Sequence, residues 1–230
     1  MAGATIVADS VSTTVLSWIA DGTLQAGERI HDAQVAETLN VSQSAVRAAL
    51  RSLRDLNIVE IEPNRFSKVA EANPTAFVCA FTTCVALWKH GAVKSLPGLT
   101  QADRKAFCDA FRALRERIDK QPNVNPIADP RFSAEFMTAL RLLVDDGINS
   151  IMIDFISRLE PMILHFARIS SNFFDLDKLK DVIESLERAV HNSDISEVLA
   201  SLDQLDSNVS DFPERFRRQH DMQYDQTGSK

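Results

Sequence analysis

The chain has 230 residues but only three cysteines, Cys79, Cys84 and Cys108, which form neither a CxxC motif nor an even set. This pattern predicts neither a disulfide framework nor a zinc cluster, and it favours small buried thiols in a reducing compartment. No positively charged leader is present, because the first basic residue is Arg29, and no apolar run approaches the length that spans a membrane. We therefore expect a cytoplasmic protein without a membrane partner.

Positive charge is in the minority. Lysine and arginine number 25 against 32 aspartates and glutamates, which gives a formal net charge of -7. Such a surface repels nucleic acids and anionic membranes unless basic residues are concentrated locally, so their distribution matters more than their total. The length allows one large domain or two modest ones, and the apolar content of 45% is ample for packed cores.

Catalytic motifs are also missing. The sequence contains no glycine-rich phosphate loop, nucleophile elbow, HExxH motif or cysteine–histidine pair in a recognisable context. The adjacent acids Asp145 and Asp146 precede Gly147 at a predicted helix end, where exposure to solvent explains them. We therefore predict that the chain is not an enzyme, and the sequence indicates no cofactor.

Residues 1–72 predict three helices followed by a hairpin. The first helix spans about Ile6–Asp21, the second follows a cap at Asp32 and ends at Asn40, and the third runs from a cap at Ser42 to Asn57. The apolar period then changes to two in "IVEIEPNRFSKVAEA", with a turn at Pro63 and Asn64. This order is typical of a winged helix-turn-helix domain.

The third predicted helix has a free polar face beside its buried stripe. Gln43, Arg47 and Arg51 fall within an arc of about 80°, and no carboxylate occurs from Ser42 to Arg54. Residues at the start of such a helix contact base edges in the major groove, and arginines farther along reach phosphates. A solvated helix face is the alternative for three arginines, and the surrounding pattern favours DNA. The predicted DNA contacts are Ser42, Gln43, Ser44, Arg47 and Arg51, with Arg65 and Lys68 on the wing.

The stretch "LQAGERIHDAQVAETLNVSQSAVRAALRSLRDLNIVEIEPNRFSKV" resembles the GntR-type winged helix. The resemblance implies that Arg47 contacts DNA and that Ser42 caps the recognition helix. This sequence departs from the pattern at Gln43, where the family has arginine, at Ala33, at Ala26, and at Phe66, where a wing glycine is expected. Gln43 can still read adenine, so we expect weaker DNA binding or a different operator.

From Asn73 onward the pattern is helical and predicts no strand, so the fold class is mainly α. Residues 73–216 are predicted to form an all-helical bundle domain and residues 217–230 a disordered tail, with Pro161 kinking or dividing one helix. The predicted helices are Thr100–Ile118, Phe132–Leu143, Ile148–Ile169, Lys178–Val190 and Ile195–Val209. Residues 74–212 resemble, less specifically, the FadR-like C-terminal (FCD) domain, which implies effector binding and dimerisation.

Many FCD domains hold a metal through Asp-x-x-x-His and two later histidines, and this chain lacks those histidines. The corresponding positions carry Ser133 or Met137, Ile183 and Leu205. Isoleucine and leucine cannot ligate a metal, so no metal is expected here.

The resemblance implies a regulator controlled by a small organic acid, and we expect a homodimeric repressor that binds a double-stranded DNA operator. Candidate residues for a carboxylate effector are Asp129, Arg141, Arg158 and His165, although His165 also fits a buried core position. The alternative is a DNA-binding protein whose helical domain only mediates dimerisation, with a pocket filled by apolar side chains such as Ile183 and Leu205. Screening of ligands separates these two hypotheses.

Overall fold

The computed structural model describes residues 2–62, 65–71, 73–120, 125–144 and 150–218. The chain divides into two compact units, Met1–Ala72 and Asn73–Lys230. The predicted turn at Pro63 and Asn64, the acidic pair Asp145 and Asp146, and most of the predicted tail lie outside the described residues.

The N-terminal unit is a winged helix, as the sequence predicts. Its helices are α1 (Ala2–Asp21), α2 (Asp32–Leu39) and α3 (Gln43–Asp55), and its strands are β1 (Arg29–Ile30), β2 (Val59–Glu62) and β3 (Phe66–Val69). Strands β2 and β3 form the predicted antiparallel hairpin, and β1 pairs antiparallel with the other edge of β3. Strand β1 is not among the elements that the sequence analysis predicts.

Local signals in the sequence set the start of α3. Asn40 adopts a left-handed conformation with φ 52° and ends α2, and Ser42 caps α3 by accepting a hydrogen bond from the amide of Ala45 at 3.2 Å. The short connection fixes the direction of α3 relative to α2. The apolar stripe of α3 is buried, as the spacing predicts, and consists of Val46, Ala49, Leu50 and Leu53.

The C-terminal unit is all-helical in its described residues. Three short 3-10 turns connect its helices, and residues 212–218 are also helical, so the predicted disorder does not begin at Arg217. Pro161 does not divide its helix, which continues through it. The helices are α4 (Pro74–Ser95), α5 (Gln101–Lys120), α6 (Pro130–Arg141), α7 (Ser150–Ile169), α8 (Leu176–Asn192) and α9 (Ile195–Ser210).

Helix α4 is the most apolar element of this unit. Its region Pro74–Gly98 reaches a mean hydropathy of 1.4 and is long and apolar enough to cross a membrane by length and composition, which the sequence analysis overlooked. The same helix contributes buried Phe77, Phe81, Cys84 and Trp88 to the bundle and packs against α7 and α9. A core helix of a helical bundle has these properties.

The three cysteines are free thiols, and the prediction that all are buried is wrong for Cys79, which is exposed. Cys84 and Cys108 are buried. Burial raises the pKa of the Cys84 thiol to about 12, which makes it unreactive at neutral pH.

Candidate functional site

A cleft of about 680 Å³ opens in the N-terminal unit between α3 and the wing. This unit contains nine acidic and only six basic residues, yet five of those basic residues line this cleft: Arg29, Arg47, Arg51, Arg54 and Arg65. Its only lining carboxylates, among the described residues, belong to Asp32 and Glu62. An acidic domain therefore concentrates its positive charge on one face.

Helix α3 brings Arg47 and Arg51 to this cleft, whereas the predicted contacts Ser42, Gln43 and Ser44 do not line it. Burial of its apolar stripe leaves Gln43, Ser44, Arg47 and Arg51 exposed on the adjoining face. The hydroxyl of Ser42 accepts the capping hydrogen bond and also lies 2.8 Å from the Ser44 hydroxyl. Ser42 thus shapes the start of the helix, and the longer side chains behind it extend outward.

The arginines of α3 differ in their partners. The Nε of Arg47 donates to the Oδ2 of Asp32 at 3.0 Å, and Arg54 pairs with Asp55 at 2.7 Å. Within the described part of the chain Arg51 forms no ion pair. An unpaired exposed guanidinium on this face is free to neutralise a phosphate.

The two predicted wing residues do not share a location. Arg65 lines the cleft, but Lys68 does not. The ammonium of Lys68 lies 3.0 Å from Glu60, its direct cross-strand partner, and 3.6 Å from Glu71. The hydrogen bond with Glu60 raises the pKa of Lys68. Lys68 therefore stabilises the sheet, and its predicted role in DNA contact has no support from this geometry.

Arg29 is a cleft residue that the sequence analysis missed. Its guanidinium lies 4.1 Å from the centre of the Phe66 ring, at the position where the wing glycine was expected. Strand β1 brings Arg29 to β3 across almost 40 residues of sequence. The only signal in the sequence was the presence of Arg29 before α2 and of an aromatic residue, Phe66, in the wing.

The C-terminal unit contains a second, much smaller cavity of about 50 Å³. Two of its polar neighbours already have roles: the Ser133 hydroxyl donates to the Ile127 carbonyl at 3.3 Å, and the Asp175 carboxylate caps α8. Asn208 is a third polar residue in the wall. Most of the wall is apolar and includes the rings of Phe77, Phe81, Phe132, Phe136 and Phe174.

This cavity gathers most of the positions at which the FCD resemblance implied metal ligands. Ser133, Met137 and Leu205 line it, and Ile183 is fully buried in α8. None of these side chains is an imidazole or a carboxylate. Among the described residues, no group of three histidine, cysteine, aspartate or glutamate side chains is arranged to hold a metal ion.

None of the four candidate effector residues lines this cavity. Asp129 caps α6 and pairs with Arg117 at 2.6 Å. Arg141 lies at the other end of the same helix and faces Glu160 at 3.7 Å. The rise per residue of an α-helix places it about 18 Å from Asp129. Arg158 is exposed, and His165 is buried beside Phe166. The sequence did not show which helix faces turn inward, and an effector site formed by these residues stays a prediction.

Residues 7–69 match the family model described as bacterial regulatory proteins, gntR family. This stretch of the chain is therefore similar to the gntR-family domain. This domain contains α3, the wing and the arginine cleft, so the family match and the geometry concern the same surface. The model describes bacterial regulatory proteins, and its match is confined to the N-terminal unit.

Several solved structures share the fold of the whole chain. Escherichia coli McbR/YncC has a TM-score of 0.66 at 16% identity, with 91% of this chain and 98% of that chain covered. GntR from Rhodococcus sp. RHA1 has a TM-score of 0.61 at 16% identity, with 88% and 96% covered. Lar of Listeria monocytogenes, which controls expression of the agr system, has a TM-score of 0.56 at 14% identity, with 88% and 94% covered. Among curated proteins none matches the chain.

Proposed function

We propose that this chain is a homodimeric, cytoplasmic transcriptional repressor that binds a specific double-stranded DNA operator through α3 and the wing. The observation that carries the proposal is the arginine cleft. An acidic unit that directs five of its six basic residues to one face can bind a polyanion on that face, while the rest of its surface repels polyanions.

The two ends of α3 have different tasks in this proposal. Gln43, Ser44 and Arg47 lie in its first turns, where a helix that enters the major groove meets base edges. Gln43 is suited to adenine and Arg47 to guanine, each through two parallel hydrogen bonds. Arg51 on α3 and Arg65 on the wing are suited to the backbone, because they line the same cleft from facing elements.

A homodimer follows from the small footprint of one winged helix. One recognition helix reads only a few base pairs, and a twofold dimer doubles the site and reads half-sites about one helical turn apart. The operator is therefore expected to be a palindrome or a near palindrome.

The experiment begins with the purified full-length protein and fragmented genomic DNA. Fragments retained by the protein are sequenced, and the affinity for the most enriched duplex is compared with that for a scrambled duplex of the same composition at several salt concentrations. We expect a clear preference for the enriched duplex and a palindromic motif within it. Equal affinity for both duplexes would contradict sequence-specific binding.

For control by an effector, we propose the apolar cavity as the binding site. Because its wall offers no cationic side chain, a carboxylate would lose its hydration there without a partner. The effector that fits is an uncharged and mainly apolar molecule, bound without a metal, and not the organic acid that the resemblance implied. A screen by thermal shift with matched acid and ester or alcohol forms of the same compounds tests this preference.

A second candidate function is a helical unit that only mediates dimerisation. The cavity volume of about 50 Å³ favours it, since a cavity of about 150 Å³ is needed to hold a molecule as small as benzene. In this case no compound in the screen changes the affinity for the enriched duplex. An effector site, by contrast, requires the phenylalanine rings around the cavity to move.

A further inference from the structure

The two helices of the helix-turn-helix are joined by one ion pair at the rim of the cleft. Asp32 begins α2 and Arg47 lies in the second turn of α3, and their side chains meet at 3.0 Å. The Arg47 side chain remains 60% exposed and that of Asp32 is 25% exposed. The pair is thus accessible from the side on which DNA would bind, and it links the residue expected to read a base to a carboxylate.

The pair engages only one of the three nitrogens of the Arg47 guanidinium. Asp32 accepts from Nε, and neither terminal nitrogen bonds to another of the described residues. Two parallel N–H groups are what a guanidinium offers to the O6 and N7 of guanine. A carboxylate that holds Nε fixes the plane of the group and leaves that pair of donors free.

The same carboxylate acts against phosphate. Asp32 is one of two lining carboxylates in a cleft with five arginines. A phosphate that approaches Arg47 must either displace Asp32 or lie close to its negative charge, and both are unfavourable. The edge of a guanine is uncharged, so it can accept from the terminal nitrogens while the ion pair remains.

We propose that Asp32 is a positioning residue that sets sequence discrimination. It orients Arg47 for a bidentate contact with guanine and disfavours the use of Arg47 as a phosphate contact. This inference rests on the proposed function. It adds that the Asp32 carboxylate lowers the total affinity for DNA and raises the selectivity for the operator.

Asp55 provides a matched control within the same unit. It also pairs with an arginine that lines the cleft, Arg54, at 2.7 Å, but it lies at the end of α3 and is not part of the cleft wall. Replacing either aspartate by asparagine removes one negative charge from the domain. A general electrostatic effect must therefore appear in both variants, and an effect on orientation must appear only at Asp32.

The test compares full-length wild type, Asp32→Asn, Asp32→Glu and Asp55→Asn on the enriched and the scrambled duplex by fluorescence anisotropy at several salt concentrations. For Asp32→Asn we expect tighter binding to the scrambled duplex, a steeper salt dependence, and a ratio of specific to non-specific affinity that falls by about 5- to 150-fold, the range of one bidentate base contact. The ratio of specific to non-specific affinity should be partly retained in Asp32→Glu and unchanged in Asp55→Asn.

Circular dichroism and thermal unfolding check that each variant is folded, and Arg47→Lys provides a second route if Asp32→Asn is not. Lysine keeps a positive charge beside Asp32 but lacks the planar guanidinium group. Arg47→Lys should therefore lower the ratio of specific to non-specific affinity while it retains the non-specific affinity. An unchanged ratio in Asp32→Asn, or an equal loss in Asp55→Asn, overturns the inference. A wild-type protein that does not distinguish the two duplexes contradicts the proposed function itself.

Discussion

Arg47 and Arg51 lie one turn apart on α3 and both line the arginine cleft, yet within the described residues only Arg47 has a carboxylate partner. Arginine to alanine at position 47 should therefore cost about 1 to 3 kcal/mol on the enriched duplex and much less on the scrambled one. Arg51→Ala should weaken binding to both and lower the salt slope by about one. Titrations of both variants at several salt concentrations measure these effects, and unchanged affinity in two folded variants would remove α3 from the interface.

Single residues were predictable where their role depends on local sequence. The cap at Ser42 and the exposed face with Arg47 and Arg51 follow from helical spacing alone, and the structure has both. Arg29 and Lys68 were not predictable in this way. The position of Arg29 depends on the pairing of β1 with β3, and Lys68 is held by Glu60 on the neighbouring strand. Arg29 is almost 40 residues from β3, and the pair of Lys68 with Glu60 depends on the exact register of the hairpin, which the sequence of one strand does not reveal.

Between elements, α4 packs tightly against the turn that follows α6 in the C-terminal unit. A Cβ atom at Gly91 would lie 2.1 Å from the Cγ1 of Val144 and 3.0 Å from its Cα. We expect Gly91→Ala to lower the free energy of unfolding by about 1 to 2 kcal/mol, because overpacking exceeds the gain in helix propensity. Gly98→Ala is the control, since nothing lies within 4 Å of its added carbon. Thermal unfolding of both variants checks this, and equal stability would mean that α6 can move away.

A second test at this scale concerns the contact between α6 and α7. Burial raises the pKa of Glu160 above its usual range, although Arg141 at 3.7 Å acts in the opposite direction. The folded state therefore binds the proton more tightly than the unfolded state, and the contribution of Glu160 to stability decreases as pH rises through the folded pKa. Glutamine resembles the protonated form.

The Glu160→Gln variant should therefore gain stability relative to wild type as pH rises from about 4 to 7. Parallel thermal unfolding of the two proteins across this range gives the difference directly. A difference that is constant with pH, or that shrinks toward neutrality, would mean that the ion pair with Arg141 outweighs burial.

Periodicity located the helices better than it oriented them. The start of α9 at Ile195 agrees with the prediction, and α1 extends four residues closer to the N-terminus than predicted. The spacing of apolar residues depends on local sequence, whereas the inward face of each helix depends on its neighbours. For this reason the predicted effector residues do not line the cavity, although the helices that carry Arg141, Arg158 and His165 were predicted.

At the scale of the whole molecule, the two units differ in the apolar surface that they expose. Among the described residues, the large exposed apolar side chains of the C-terminal unit are Val93, Ile151 and Phe155, at 44%, 84% and 48%, and the N-terminal unit exposes only Val7, at 39%. Ile151 and Phe155 lie one turn apart on α7 and form an exposed apolar pair of the kind that contacts another protein chain. We therefore expect the proposed homodimer to form through the C-terminal unit.

Analytical ultracentrifugation of the full-length chain and of residues 73–230 tests this expectation, and both should sediment as dimers. Substitution of Ile151 and Phe155 by aspartate should produce monomers, because two charges would be buried without partners in the interface. Aspartate at Val7 is the control and should leave the dimer intact. A monomeric fragment from a dimeric full-length protein would shift dimerisation to the N-terminal unit. If the double aspartate variant stays dimeric, the interface lies on another face of the bundle, and the exposed apolar residues of α7 have a different partner.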